Sequence, residues 1–140
     1  MTKLNRHQAR QVAFQTLYGL AMNPDAQVED IVRQVLTGDP EIEWTGELPQ
    51  DVIDLVNEVV ANQNKLDLQI SNYLTDRWTI DRLNPVDLSL MRLALYEAQT
   101  DAVPAKVAID EALQLAHEFT DDESRKFING VLNKALTENK

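Results

Sequence analysis

The last third of the chain constrains the fold most strongly, because residues 103–136 carry the pattern of two helices joined by a short acidic turn. In the first helix, apolar side chains recur at the three- and four-residue spacing of one helix face. Its inward residues are Ala108, Ala112, Leu115, Ala116 and Phe119. The second helix repeats this spacing with Phe127, Ile128, Val131, Leu132, Ala135 and Leu136. Such a pair buries its apolar faces only against further helices, which favours an all-helical fold.

The turn between these helices has the pattern T-x-x-E at residues 120–123. This pattern predicts that Thr120 is the N-cap of the second helix and that Glu123 is its reciprocal partner. Gly130 lies inside the second helix, where glycine costs about 1 kcal/mol relative to alanine. It indicates either the close approach of another backbone or a tolerated defect.

The rest of the chain has equally clear helix signals. Asn5 with Gln8 predicts a capped first helix, which Asn23-Pro24 ends. Asn84-Pro85 predicts the start of a helix that is apolar on nearly all sides and therefore central. Residues 37–48 form a predicted loop in which Trp44 is either packed down or exposed. We count seven helices and no strand alternation, so the predicted class is all-α.

Four blocks of the sequence are distinctive: RHQARQVAFQTLY at 6–18, NPVDLSLMRLALYEA at 84–98, V-P-x-K-V-A-I-x-E-A at 103–112 and K-F-x-N-G-V-L-x-K at 126–134. Together they resemble the NusB family of bacterial transcription antitermination factors. The resemblance implies a compact bundle of about seven helices in two packed helical subdomains. It also implies that residues 1–140 are a single NusB-like RNA-binding domain.

Composition excludes several classes of protein. The chain has no cysteine, so disulfides and thiolate metal sites are excluded. The N-terminus lacks an apolar signal segment, and no run approaches the roughly 18 apolar residues of a membrane span. We therefore expect a cytoplasmic protein that does not contact a membrane.

Catalysis and cofactor binding are not expected. The two histidines, His7 and His117, are far apart, and the four glycines form no phosphate-binding loop. Three successive acids at 121–123 match the dipole of a helix N-terminus better than they match a metal site. We predict no enzyme, no cofactor and no metal.

Charge is unevenly distributed along the chain. Residues 1–23 hold three basic side chains and no acidic one, whereas the other residues hold 10 basic and 23 acidic side chains, for a net charge of −10. The cations lie at the positive end of the predicted first helix, where they are mildly unfavourable. They form either a solvated arm or a patch that contacts phosphates.

The resemblance implies that the protein binds the boxA element of nascent ribosomal RNA leaders together with NusE, a small-subunit ribosomal protein, and helps RNA polymerase pass terminators. By position, it implies RNA contacts for the N-terminal basic segment. These residues are Lys3, Arg6, His7 and Arg10. Gln8 and Gln11 stand where family members have more arginine, so we expect a shallow salt dependence and a need for NusE.

A second predicted RNA contact is the start of the last helix, with Glu123, Ser124, Lys126 and Phe127. Phe127 either stacks on an RNA base or packs in the core. For NusE, the resemblance implies contacts at Val86 and Asp87, although an acid there also suits the first turn of a helix. The alternative function is a helical protein–protein adaptor without direct RNA contact.

Overall fold

The structure is a computed structural model that describes residues 4–44, 46–75, 78–100 and 103–138, with side chains to residue 136. The described residues form seven α-helices and one short 3-10 helix, and none of them lies in a strand, so the predicted all-α class is confirmed. The α-helices are α1 Arg6–Met22, α2 Val28–Gly38, α3 Gln50–Ala61, α4 Gln63–Ser71, α5 Pro85–Gln99, α6 Ala105–Phe119 and α7 Asp122–Glu138, and the 3-10 helix is Ile80–Arg82. They divide into two compact units, Met1–Ala61 and Asn62–Lys140.

The first unit contains α1, α2 and α3, and each of them packs against the other two. The Asn5 side chain accepts a hydrogen bond from the Gln8 backbone N–H at 2.7 Å, and the Gln8 side chain accepts one from the Asn5 N–H at 3.0 Å. This reciprocal pair confirms the predicted cap of α1. The helix ends at Met22, with Asn23 as its C-cap ahead of Pro24.

Gly19 permits the close approach of α1 and α2. A Cβ atom added at Gly19 would lie 2.9 Å from the Cγ2 atom of Ile31, which is closer than side chains normally approach. The α2 helix begins at Val28, with Gln27 as its N-cap. In the predicted loop that follows, Trp44 is half-buried and its Nε1 donates to the Glu47 carbonyl at 2.9 Å, so this ring neither packs fully nor projects into solvent.

The second unit is arranged around α5, which packs against α4, α6 and α7. The Asn84 side chain accepts from the Val86 backbone N–H at 2.9 Å and Pro85 occupies the first turn, as predicted. Leu90, Met91 and Leu95 of α5 are almost completely buried. The prediction of a central helix is therefore confirmed.

Arg92, a charged residue on the buried helix α5, is paired with a carboxylate. Its Nε and Nη2 atoms donate to the two carboxylate oxygens of Asp67 on α4 at 2.7 and 2.8 Å. Bidentate pairs of this kind constrain geometry as well as contribute energy. The pair therefore joins α4 to α5.

The predicted cap of α7 was wrong. Thr120 is the C-cap of α6, and its hydroxyl donates to the Ala116 carbonyl at 2.7 Å. Asp121 caps α7 instead, because its carboxylate accepts from the Ser124 backbone N–H at 2.8 Å. Gly130 is exposed, and a Cβ atom added there would meet nothing within 4 Å, so it is a tolerated defect and not a point of close approach.

Candidate nucleic-acid interface

The N-terminal basic segment is only partly exposed. Arg6 is exposed, His7 is half-buried, and Arg10 retains only 5% of its surface in contact with solvent. Both His7 and Arg10 interact with other groups of the protein. Lys3 lies outside the described residues. Within the described part of the N-terminal basic segment, Arg6 is therefore the exposed cation, whereas the burial of Arg10 was not evident from the sequence pattern.

A cleft of about 730 Å³ lies in the second unit. It is formed where the segment containing the 3-10 helix meets the N-terminal ends of α5 and α7. Its lining residues are Trp78, Arg82, Leu83, Asn84, Pro85, Asp87, Asp121, Glu123, Ser124 and Phe127. The volume is typical of a site for a small molecule or for one component of a polymer.

Two aromatic rings form one side of the cleft. The rings of Trp78 and Phe127 lie with their centroids 6.2 Å apart and their planes tilted by 47°. The Arg82 guanidinium carbon lies 5.9 Å from the centroid of the Trp78 ring, within range of a cation–π contact. Trp78 keeps 47% of its surface exposed. An exposed ring beside a guanidinium plane is suited to stacking against a planar group.

Phe127 lies at the border between the core and the cleft. The side chain is half-buried and lines the cleft, whereas its neighbour Ile128 is completely buried. The helix pattern assigns both residues to the inward side of α7. Only the structure shows that Phe127 lies at the end of the apolar face, where the core meets solvent.

Asp87 is the most deeply buried charged group of the cleft, with 6% of its surface exposed. Its Oδ2 atom accepts a hydrogen bond from the Ser124 hydroxyl at 3.1 Å, which links α5 to α7. Its Oδ1 atom is buried and accepts no hydrogen bond from the described residues. Burial raises the pKa of the Asp87 carboxyl, the Ser124 hydroxyl opposes that rise, and the nearby charge of Asp121 adds to it.

Among the described residues that line the cleft, carboxylates outnumber cations. Three carboxylates line it, those of Asp87, Asp121 and Glu123, against the guanidinium of Arg82. The N-terminal ends of α5 and α7 contribute partial positive charge, which explains why acids are accommodated there. A phosphate group is disfavoured by this excess of negative charge, whereas hydrogen-bond donors are favoured.

The cleft brings together residues that the sequence assigned to two different contacts. Glu123, Ser124 and Phe127 come from the predicted RNA contact, and Asp87 comes from the predicted NusE contact. Val86 is half-buried and Lys126 is exposed, and neither is among the residues that line the cleft.

Sequence reasoning missed Trp78 and Arg82. The available signal was an aromatic residue followed four positions later by arginine, in a segment between helices that carries no core pattern. Within the described ranges, no group of three or more potential ligands could hold a metal ion. No helix in the described part of the chain is long and apolar enough to cross a membrane.

Comparisons with known proteins identify the fold and the family. The sequence profile of the NusB family matches residues 7–137. The transcription antitermination protein NusB of Levilactobacillus brevis is 46% identical over 134 residues, which cover 95% of this chain and 93% of that protein. The NusB protein of Ligilactobacillus salivarius is 40% identical over 95% of this chain and 98% of its own length.

Solved structures show the same fold. T. maritima NusB superimposes with a TM-score of 0.80 at 30% identity, covering 97% of this chain and 93% of that one. The NusB chain of a crystal structure of the antitermination factors NusB and NusE with double-stranded RNA gives a TM-score of 0.79 at 22% identity, covering 95% and 96% of the two chains. The family expected from the sequence motifs is therefore confirmed. The chain belongs to the NusB family, a family of transcription antitermination proteins and not of enzymes.

Proposed function

We propose that this protein is a cytoplasmic transcription antitermination factor that binds single-stranded boxA RNA of nascent ribosomal RNA leaders together with NusE, and so helps RNA polymerase read through terminators. Relatives with 40 to 46% identity are named transcription antitermination proteins. A protein of the same fold has been crystallised with NusE and RNA. Both observations support the proposal by similarity.

The observation in this chain that carries the proposal is the cleft with exposed Trp78 beside Phe127 and Arg82. Single-stranded RNA is bound mainly by stacking of unpaired bases on aromatic and guanidinium planes. Exposed Arg6 in the first turn of α1 adds a cation for the phosphate backbone. Lys3, His7 and Arg10 remain predicted members of the same contact, with Arg10 acting from a buried position.

The NusE contact is proposed at the start of α5. Val86 is half-buried and so presents part of an apolar side chain to a partner. Asp87 is too deeply buried for a wide contact with NusE. Its contribution to the NusE contact is made through its hydrogen bond with Ser124. The proposed RNA contact is completed at the start of α7 by Glu123, Ser124 and exposed Lys126.

The test of this function is RNA affinity of the wild type and of Arg6→Glu, each saturated with NusE, at one fixed salt concentration. We expect Arg6→Glu to weaken boxA binding severalfold, because it replaces a phosphate-attracting charge with a repelling one. The matched control is Arg33→Glu, which changes charge equally at an exposed site on α2. Equal affinities of the two variants would remove the N-terminal segment from the RNA contact.

The acidity of the cleft favours one alternative, an adaptor that binds a basic protein without contacting RNA. The three carboxylates and the net charge of −10 are suited to such a partner. A complex with NusE that binds boxA and scrambled RNA equally weakly would support the adaptor. Preference for boxA would exclude it.

A further inference from the structure

The loop between α2 and α3 carries negative charge only. Residues 39–47, called the acidic loop below, hold four acidic side chains and no basic one. The four are Asp39, Glu41, Glu43 and Glu47. Asp39 is half-buried, and the other three are exposed. The acidic loop therefore presents carboxylates at the surface of the first unit.

The acidic loop is fixed against α1. The Asp39 Oδ2 atom accepts a hydrogen bond from the Gln11 side-chain Nε2 of α1 at 3.0 Å, and its Oδ1 atom accepts one from the Glu41 backbone N–H at 2.9 Å. The Ile42 backbone N–H donates to the Asp39 carbonyl at 3.1 Å, and the Ile42 side chain is buried. Glu41 and Glu43 flank this buried residue, so both are held close to α1.

The point of contact on α1 lies beside the N-terminal basic segment. Gln11 follows Arg10 directly and lies one helical turn, about 5.4 Å, after His7 on the same side of the helix. The distance from the acidic loop to this segment is therefore on the order of 10 Å, comparable with the Debye length of about 8 Å at physiological salt. Carboxylates at such a distance repel a phosphate that approaches the first turns of α1.

The two ends of α2 lie at different points along α1. Gly19 of α1 lies against Ile31, near the start of α2, whereas Gln11 contacts Asp39, directly after its end. Each of these separations is eight residues, or about 12 Å of helix, so the two helices run in opposite directions. Acids that precede Ile31 therefore lie toward the C-terminal end of α1, away from the basic segment.

We propose that the acidic loop is an autoinhibitory element, whose carboxylates oppose the approach of RNA phosphates to the N-terminal basic segment and so lower the affinity for RNA of any sequence. The inference rests on the proposed RNA contact of that segment. Arg6 is the exposed cation in its described part, so a few nearby acids offset a large share of its attraction. Contacts in the second unit and NusE then determine whether an RNA is held.

The experiment measures RNA affinity of the wild type and of Glu41→Gln/Glu43→Gln, each saturated with NusE, at about 0.15 M salt. We expect the loop variant to bind both boxA and a scrambled RNA about two- to fivefold more tightly, because phosphate repulsion is independent of sequence. Asp39 is left unchanged because its hydrogen bonds hold the loop in place.

The matched control is Asp25→Asn/Glu29→Gln. It neutralises two exposed acids of the same unit that precede Ile31, and it changes the net charge equally, from −10 to −8. Its RNA affinity should stay within about 1.5-fold of wild type, since charges beyond a Debye length are largely screened. Circular dichroism establishes that both variants are folded.

Salt dependence separates charge repulsion from steric obstruction by the loop. The advantage of the loop variant over the control should shrink as the salt concentration rises, because screening weakens the repulsion. An advantage that stayed constant with salt would overturn the electrostatic inference.

The remaining outcomes distinguish the inference from the function on which it rests. If Arg6→Glu weakens RNA binding but the two double variants bind equally, the acidic loop plays no part and the RNA contact of the basic segment stands. If the loop variant binds more tightly than the control but the wild type does not prefer boxA, the inference stands and the proposed function falls. If neither Arg6→Glu nor the loop variant differs from its control, the inference and the contact are both overturned.

Discussion

At the scale of single residues, Asp87 illustrates how a proposed binding role and stability oppose each other. Its carboxylate is buried, receives one hydrogen bond from the described residues, and has a raised pKa. The charged form is therefore disfavoured in the folded protein relative to the unfolded chain. Retaining an acid at this position is understandable if the acceptor serves a ligand.

This cost predicts a pH dependence of stability. The pKa of the Asp87 carboxyl is higher in the folded protein than in the unfolded chain. The contribution of this group to the free energy of unfolding is therefore most favourable below the unfolded pKa, and it is lost as the pH rises through the folded pKa. We expect Asp87→Asn to gain stability relative to wild type between about pH 3 and neutral pH, since asparagine does not ionise. Melting temperatures across that range measure the difference.

Asp81 provides the control of opposite sign. The Thr79 hydroxyl lowers the pKa of this exposed carboxyl, so its contribution is present above the unfolded pKa and is lost as pH falls through the folded pKa. Asp81→Asn should therefore lose stability relative to wild type as pH rises. If the stability of the two variants relative to wild type changed with pH in the same direction, the claim that burial raises the pKa of Asp87 would be contradicted.

At the scale of helices, the elements are joined and terminated by a few polar contacts. The α4 and α5 helices share the bidentate pair of Asp67 and Arg92, whose side chains are 19% and 11% exposed. By contrast, the pair of Arg33 and Asp30 on α2 is 59% and 64% exposed. Removing one member of a buried pair leaves an uncompensated charge, whereas an exposed pair contributes little.

The two pairs predict different costs for the same substitution. Arg92→Met should lower the free energy of unfolding by about 2 to 4 kcal/mol, because it leaves the Asp67 carboxylate without its partner. Arg33→Met should change it by less than about 0.5 kcal/mol. Urea unfolding of both variants provides the measurement, and similar small losses would show that the Asp67–Arg92 pair does not join the helices.

The cap of α7 gives a further prediction. Asp121→Ala should lower the free energy of unfolding by about 1 kcal/mol, because the Ser124 N–H loses its acceptor. Asp121→Asn retains a capping oxygen and removes only the charge, so it should restore most of the loss. If both variants were equally destabilised, the charge of Asp121 and not its capping bond would be responsible.

The predictability of these elements depended on how local their determinants are. The caps at Asn5 and Asn84 were predicted because each bond joins residues two or three positions apart. Thr120 was assigned wrongly because its hydroxyl does not accept a backbone N–H as an N-cap would, but donates to the Ala116 carbonyl four residues earlier. The cleft was not predicted as a whole, since Trp78 and Phe127 meet only through tertiary packing of segments far apart in the chain.

At the scale of the whole molecule, an anionic protein is proposed to bind a polyanion. The net charge of −10 opposes RNA at long range, and the described N-terminal cations offer little exposed positive charge beyond Arg6. Stacking in the cleft and the contribution of NusE must therefore supply most of the affinity. The expected consequence is a shallow dependence of RNA affinity on salt concentration.

The most direct test of RNA recognition is a titration of the complex with NusE against boxA RNA and a scrambled RNA of equal length and composition, at one fixed salt concentration. We predict that the wild type binds boxA at least about tenfold more tightly than the scrambled RNA, because sequence-specific complexes exceed non-specific ones by more than this factor. Trp78→Ala should lose most of that preference. Equal affinity of the wild-type complex for the two RNAs would contradict the proposed function.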